Sequence, residues 1–300
     1  MDRLRAVIFC LAPGIKARIE DVYASEADAA RELGMHELFL DHDEVLRGDL
    51  DRALRRVPVN TTPQSLIYRG WMMPVKSYTL LHRALAKRGW ELCTSPEDYA
   101  ACHLLPGWYR SLEGLTPSSK WIEHGPPFDD KELCEALAHW NGPVIVKDYV
   151  KSEKHAWNEA CFIPDPRDTD ASLRVIRRFI ELRDDAFEGG LVLREFVPLA
   201  QAGVHPQSAM PLSREIRTFW RGDRCVMSSG YWDARSSEAA LPTVVVRASQ
   251  IINRPFYTID AAQLASGEWI VIEIGDGQVS AIPDGADVHR FYANLTPALG

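Results

Sequence analysis

A change of rhythm about a third of the way along restricts the fold of this 300-residue chain more than any other feature. Before it, aliphatic runs alternate with helical spacing. Arg5 to Leu11, His36 to Leu40, Ser65 to Tyr68 and Gly89 to Cys93 read as strands. Between them Glu20 to Leu33, Leu46 to Val57 and Pro74 to Arg88 carry apolar residues three and four apart, and Ser95-Pro96-Glu97 opens another helix. Beyond Gly107 to Lys120, a stretch rich in Gly, Pro, Ser and aromatics, that alternation stops. Helices at Lys131 to Trp140 and Leu173 to Leu182 mix with strands at Pro143 to Asp148, Ala160 to Ile163 and Leu191 to Phe196. Two hairpins follow, Glu215 to Arg221 with Arg224 to Tyr231, and Tyr257 to Leu264 with Glu268 to Ile274. The order predicts a small α/β domain over 1–115 followed by α+β segments over 116–195 and 196–300.

Composition excludes several function classes. A net charge of −8 argues against a general nucleic-acid binder, so phosphate affinity has to be local. The six cysteines form no C-x-x-C pair and no zinc spacing with histidine, which fits buried thiols in a reduced cytoplasm. Ala6 to Ala12 is too short for a membrane span, and Pro13-Gly14 follow it as turn residues, so it reads as a buried strand. No G-x-x-x-x-G-K-[ST] and no G-x-G-x-x-G after a strand is present, which excludes the P-loop and Rossmann routes to a nucleotide.

Charged residues at strand ends remain. Lys147 closes the aliphatic run Val144-Ile145-Val146, where an ammonium either reaches water or meets an anion. The segment after it, Tyr149 to His155, adds Lys151 and Lys154, suited to wrapping a phosphate tail and expected to be mobile without ligand. Arg194, Glu195, Phe196 and Val197 end the next strand. There a flat apolar slot with a carboxylate suits adenine; alone an ordinary strand exit is the plainer reading, but the position between the lysine strand and the carboxylate strands favours adenine. Glu215 and Arg217 alternate onto one sheet face, as a salt-bridge ladder or, with Arg217 beside Asp260 and Glu273, as a partner for γ-phosphate. Asp260 and Glu273 lie on consecutive strands, as acids that hold Mg²⁺ against phosphates do. Arg69, at a strand's carboxyl end, either clamps a substrate carboxylate or packs over Trp71, and Lys120 is either a second phosphate lysine or a surface residue. Asp41 to Glu44 has metal-ligand types but reads as a helix-capping acidic turn.

The ordered set resembles the ATP-grasp superfamily, with Lys147, Glu195, Asp260 and Glu273 in the sequence order of its lysine, hinge acid and metal acids. More specifically it is similar to the clade named for two arginines and one lysine, third family, through Tyr68-Arg69-Gly70-Trp71-Met72, Leu105-Pro106-Gly107-Trp108-Tyr109, Val146 to Ser152, Arg214 to Arg217 and Glu273 to Gln278. The resemblance implies a pre-ATP-grasp α/β domain before a two-subdomain ATP-grasp fold, with ATP and Mg²⁺ as cofactors. It implies an ADP-forming ligase that activates a carboxylate, of a small molecule or a peptide, as an acylphosphate for an amine or thiol. Resemblance also leaves a nucleotide-binding assembly factor of the cell-division-cycle 123 type, and a phosphotransferase stands as a further reading. Neither nucleic acid nor membrane is expected as a partner. Two departures stand out. The phosphate-covering segment lacks glycine, and the usual Glu-x-Asn is Glu273-Ile274-Gly275, which passes the role of the amide to Asp276 or Gln278.

Overall fold

A computed structural model describes residues 4–12, 18–204, 211–232 and 240–296; Pro13 and Gly14 lie outside them. The first elements are β1 (Ala6–Cys10), α1 (Ala24–Glu32), β2 (His36–Leu40), α2 (His42–Arg47), α3 (Leu50–Ala53), β3 (Gln64–Arg69), α4 (Val75–Ala86), β4 (Trp90–Leu92) and α5 (Pro96–His103). Then come α6 (Leu105–Tyr109), β5 (Ser119–Ile122), α7 (Asp130–Leu137), β6 (Val144–Lys147), β7 (Phe162–Ile163), α8 (Thr169–Arg183), β8 (Leu191–Glu195), β9 (Gln201–Val204) and β10 (Pro211–Ser213). The last are β11 (Glu215–Arg221), β12 (Arg224–Gly230), α9 (Thr243–Ile252), β13 (Tyr257–Gln263), β14 (Trp269–Asp276) and α10 (Val288–Leu295).

Two compact units result. One comprises Met1–Cys102, Glu215–Ala261 and Ile274–Gly300, the other His103–Arg214 and Ala262–Glu273. Divisions at 115 and 195 group the residues differently, because the first unit takes both ends of the chain. In it, β2, β1, β3 and β4 form a parallel sheet in that order. Period-two alternation divides the sheet's side chains. Ala6, Ile8, Cys10, Leu66 and Tyr68 pack with residues of α2 to α5, while Val7, Phe9 and Ile67 pack with α1, α10 and Phe219 and Val226 of the hairpin β11–β12.

The helix expected over Leu46 to Val57 is two shorter ones. Gly48 ends α2 at a left-handed φ of 83°, and Asp49 starts α3 by accepting from the Arg52 N–H. Asp41 caps α2 in the same way, accepting from Glu44 N–H, so the acidic turn is a cap.

In the second unit, β5, β8, β6 and β7 form an antiparallel sheet in that order. Val144, Val146, Leu191, Leu193 and Ile163 bury one face against Leu133 and Leu137 of α7 and Leu173, Ile176 and Phe179 of α8. The stretch read as a connection contributes α6 and β5. The strand expected from Ala160 starts two residues later, because Trp157–Cys161 coil into a π-helical turn. Helices α9 and α10 have no counterpart in the sequence reading.

Candidate active site

Register decides which side chains share the face of the second unit's sheet turned away from α7 and α8. Directly paired antiparallel residues point the same way. Lys147 pairs with Val192, Ile145 with both Arg194 and Phe162, and Ser119 and Trp121 with Arg194 and Val192. Lys147, Arg194, Ile145, Phe162 and Trp121 therefore lie together on one face.

Both cations on that face are buried, Lys147 at 8% and Arg194 at 6% exposure. Burial pulls the Lys147 ammonium down to about 8, with the Glu273 carboxylate the strongest opposing influence and Arg194 adding to the lowering. Burial likewise pulls Arg194 down to about 10, again opposed first by Glu273. Two poorly hydrated cations thus share the Glu273 carboxylate, with Asp148 and Lys154 also acting on Lys147, an arrangement that can take a further anion. Arg194 is held rigidly, donating through Nη2 to Thr116 Oγ1 and to the Ile272 carbonyl, both at 2.8 Å, with its guanidinium 5.8 Å from the Trp108 ring centre. Lys147 Nζ donates to the Val150 carbonyl at 3.3 Å.

Beside these charges stands an aromatic group that the sequence reading finds only in part. Trp157 and Phe162 stack at 5.2 Å and 11°, and Phe196 meets them edge-on at 6.0 and 4.9 Å. All three are half-buried, so the group offers flat apolar surface of the kind a purine stacks on. Of the three, sequence points only to Phe196, with the half-buried Val197 after it. Trp157 lies on the π-helical turn, whose spacing has no strand or α-helix signature.

Several expected residues fall elsewhere. Lys120 pairs with Leu193, which puts it on the helix-covered face, opposite to Lys147, with its side chain exposed. Glu195 pairs with Val144 on that same face and accepts from the Ser118 N–H at 3.2 Å, so its carboxylate is directed away from Arg194. The N–H groups of Glu195 and Phe196 already donate to the carbonyls of Ser118 and Pro143. Lys151 and Lys154 are exposed, but the segment they occupy is tethered at Asp148, whose Oδ1 accepts from the N–H groups of Val150 and Lys151.

In the first unit, Arg217 forks onto Asp260, Nε to Oδ1 at 2.8 Å and Nη2 to Oδ2 at 2.6 Å, and stands 4.7 Å from the Tyr231 ring centre. Arg217 and Asp260 thus form a cross-strand ion pair, and Glu215 is half-buried at the start of β11. Asp276 departs from a metal role. It is fully buried, its Oδ1 accepts from the backbone and side-chain N–H groups of Gln278, and burial pushes it up to about 7. Gln278 is equally enclosed, donating to Tyr78 Oη and accepting from the Tyr68 N–H.

Arg69 is the clearest correction. Its side chain is wholly buried and pairs bidentately with Glu26 at 2.7 and 2.8 Å, while Nη1 donates to the carbonyls of Gly277, Gln278 and Ser280. Enclosed in this way it cannot clamp a substrate; Arg69 is a structural tie.

Among the described residues no group of three His, Cys, Asp or Glu side chains could hold a metal ion. Mg²⁺ bound with nucleotide needs only one or two carboxylates beside phosphate oxygens. Glu273, half-buried next to the two cations, suits that requirement, whereas Asp260 is engaged by Arg217 and Asp276 is sealed.

Comparisons with known proteins bear on the family and the fold. A family model described as an ATP-grasp domain, family 3 of the clade named for two arginines and one lysine, matches residues 136–295. Among solved structures, the RimK domain protein ATP-grasp from Sphaerobacter thermophilus is 13% identical with a TM-score of 0.59, covering 97% of this chain and 99% of that one. The D-cycloserine synthetase DcsG is 12% identical with the same TM-score and coverage. The ATP-grasp ligase PsnB, complexed with a minimal precursor, Mg and ADP, is 12% identical with a TM-score of 0.52, covering 96% of each chain. No curated protein sequence matches. With the family model spanning more than half of its length, the chain belongs to the ATP-grasp domain family, in the third family of the two-arginine, one-lysine clade.

Proposed function

We propose that this protein is an ATP-dependent ligase that activates a carboxylate as an acylphosphate, releasing ADP, for attack by an amine or thiol. The observation that carries the reading is the single sheet face on which Lys147 and Arg194, electrostatically coupled to Glu273, adjoin the aromatic group Trp157, Phe162 and Phe196. When bound, ATP supplies the phosphoryl group and Mg²⁺ the charge that neutralises it.

The chain's own side chains bind and orient. Trp157 and Phe162 present flat surface to the base. Lys147 and Arg194 offset phosphate charge where little water competes, and Glu273 supplies the carboxylate for the ion. Lys151 and Lys154 add exposed positive charge on the segment after Lys147.

The acid is a small molecule or a peptide, a range supported by structures of similar fold that include a D-cycloserine synthetase and an ATP-grasp ligase complexed with a precursor peptide. No helix among the described residues is long and apolar enough to cross a membrane, and all six cysteines are free, as in a reduced cytoplasm.

Glu273→Gln keeps the shape of the side chain and removes its charge, so ATP turnover is expected to fall at least about a hundredfold while the fold survives. ADP release followed with Mg²⁺ and a pool of amino acids, alongside mass analysis of new products, reads both activity and acceptor. Unchanged turnover and Mg²⁺ dependence in the variant would remove the assignment.

A further inference from the structure

Arg183, the last residue of α8, is a cation that the proposed chemistry does not use. Its Nε donates to Asp148 Oδ2 at 2.9 Å, Nη1 to Glu153 Oε1 at 3.3 Å and Nη2 to the Ala186 carbonyl at 2.6 Å. Asp148 and Glu153 are both buried and flank the segment that carries Lys151. One guanidinium therefore staples both ends of that segment to a helix.

Asp148 transmits the staple. Its Oδ1 accepts from Val150 N–H at 2.7 Å and Lys151 N–H at 2.6 Å, its Oδ2 also accepts from Glu188 N–H at 3.2 Å, and its own N–H donates to the Lys151 carbonyl at 2.9 Å. The tight turn so formed presents the Val150 carbonyl to Lys147 Nζ. Tyr149 within it donates its N–H to the Glu188 carbonyl and accepts at its own carbonyl from Leu105 N–H. A lysine stem has many rotamers, and a buried ammonium needs acceptors in fixed places. The carbonyl that orients Lys147 is itself held by Asp148, and Asp148 is held by Arg183.

We propose that Arg183, acting through Asp148, is a positioning residue for nucleotide binding, which fixes the 148–151 turn and thereby the ammonium of Lys147. The inference rests on the nucleotide reading given above. It also accounts for the missing glycines, since a turn built on side-chain acceptors needs no glycine-rich backbone.

The test is a double-mutant cycle on the full chain, with affinity for a nonhydrolysable ATP analogue and Mg²⁺ measured by calorimetry. Arg183→Gln is expected to weaken binding about tenfold and Lys147→Met at least as much. The double variant is expected to bind no more than about twofold more weakly than Lys147→Met alone, because the two residues act in series. Arg183→Lys keeps the charge but lacks the fork that spans two acids, and is expected to recover binding to within about threefold of the native chain. Losses that multiply in the double variant, or native affinity in Arg183→Gln, would overturn the positioning role. Native affinity in Lys147→Met would overturn the nucleotide reading instead. If Arg183→Gln fails to fold, Asp148→Asn replaces it, since the amide oxygen still accepts from Val150 and Lys151 while the charge partner of Arg183 is gone; the same non-additivity is expected, and additive losses overturn the proposal.

Discussion

Lys147 carries the clearest pH signature. Its ordinary value of 10.5 falls to about 8 in the folded chain, through burial first. Between those values the unfolded chain holds the extra proton, so stability attributable to this group rises with pH from about 8 to 10.5 and is constant below 8. Nucleotide binding goes the other way, because phosphate prefers the ammonium. Above pH 8 the site must take up a proton to bind, and affinity is expected to fall by up to about tenfold per pH unit. Calorimetry of the analogue between pH 7 and 9.5 in buffers of different ionisation enthalpy reads both effects, and Lys147→Arg is expected to abolish the limb. Arg69 illustrates the opposite lesson. Its place at the carboxyl end of β3 suits a ligand contact, yet its partners are Glu26 and carbonyls more than two hundred residues later, distances over which no local pattern operates. Arg69→Ala leaves Glu26 buried without its cation and is expected to cost about 3–5 kcal/mol in urea unfolding, where a substrate clamp would have altered a Michaelis constant instead.

At the scale of elements, strands with aliphatic runs and helices with regular spacing are legible because burial imposes period two or 3.6 on them. Strand β6 and the cation at its end belong to this class. Strand β5 has no aliphatic run, α6 makes little more than one turn and the π-helical turn follows neither period, so Trp157 escapes a reading by pattern. The start of β8 also depends on a feature without periodicity. A Cβ on Gly190 would overlap the Ile122 carbonyl and come within 2.8 Å of the Tyr149 ring, while Gly189 before it holds a φ of 76°. Gly190→Ala is expected to separate β5 from β8 locally and to cost about 1–3 kcal/mol, measurable as a lowered urea midpoint with unchanged slope.

Across the whole molecule, the nature of the fold was legible from the ordered set of strand ends, whereas the grouping of residues into compact units was not. Lys147, Arg194 and Glu273 belong to one unit although Glu273 follows Lys147 by more than a hundred residues, and the strand that carries Glu273 continues directly into the other. Unit membership arises from long-range packing that leaves no trace in local spacing. The tie centred on Arg69 extends this to biosynthesis. Glu26 accepts from Arg69 and also from the hydroxyl of Tyr292, 266 positions later. While the chain emerges from the ribosome, Glu26 and Arg69 exist long before the carbonyls of residues 277–280 and the ring of Tyr292 that enclose them. The segment that carries Glu26 and Arg69 must therefore wait until residues 277–292 have been translated before its interior closes, leaving a partly open nascent intermediate on which chaperones can act.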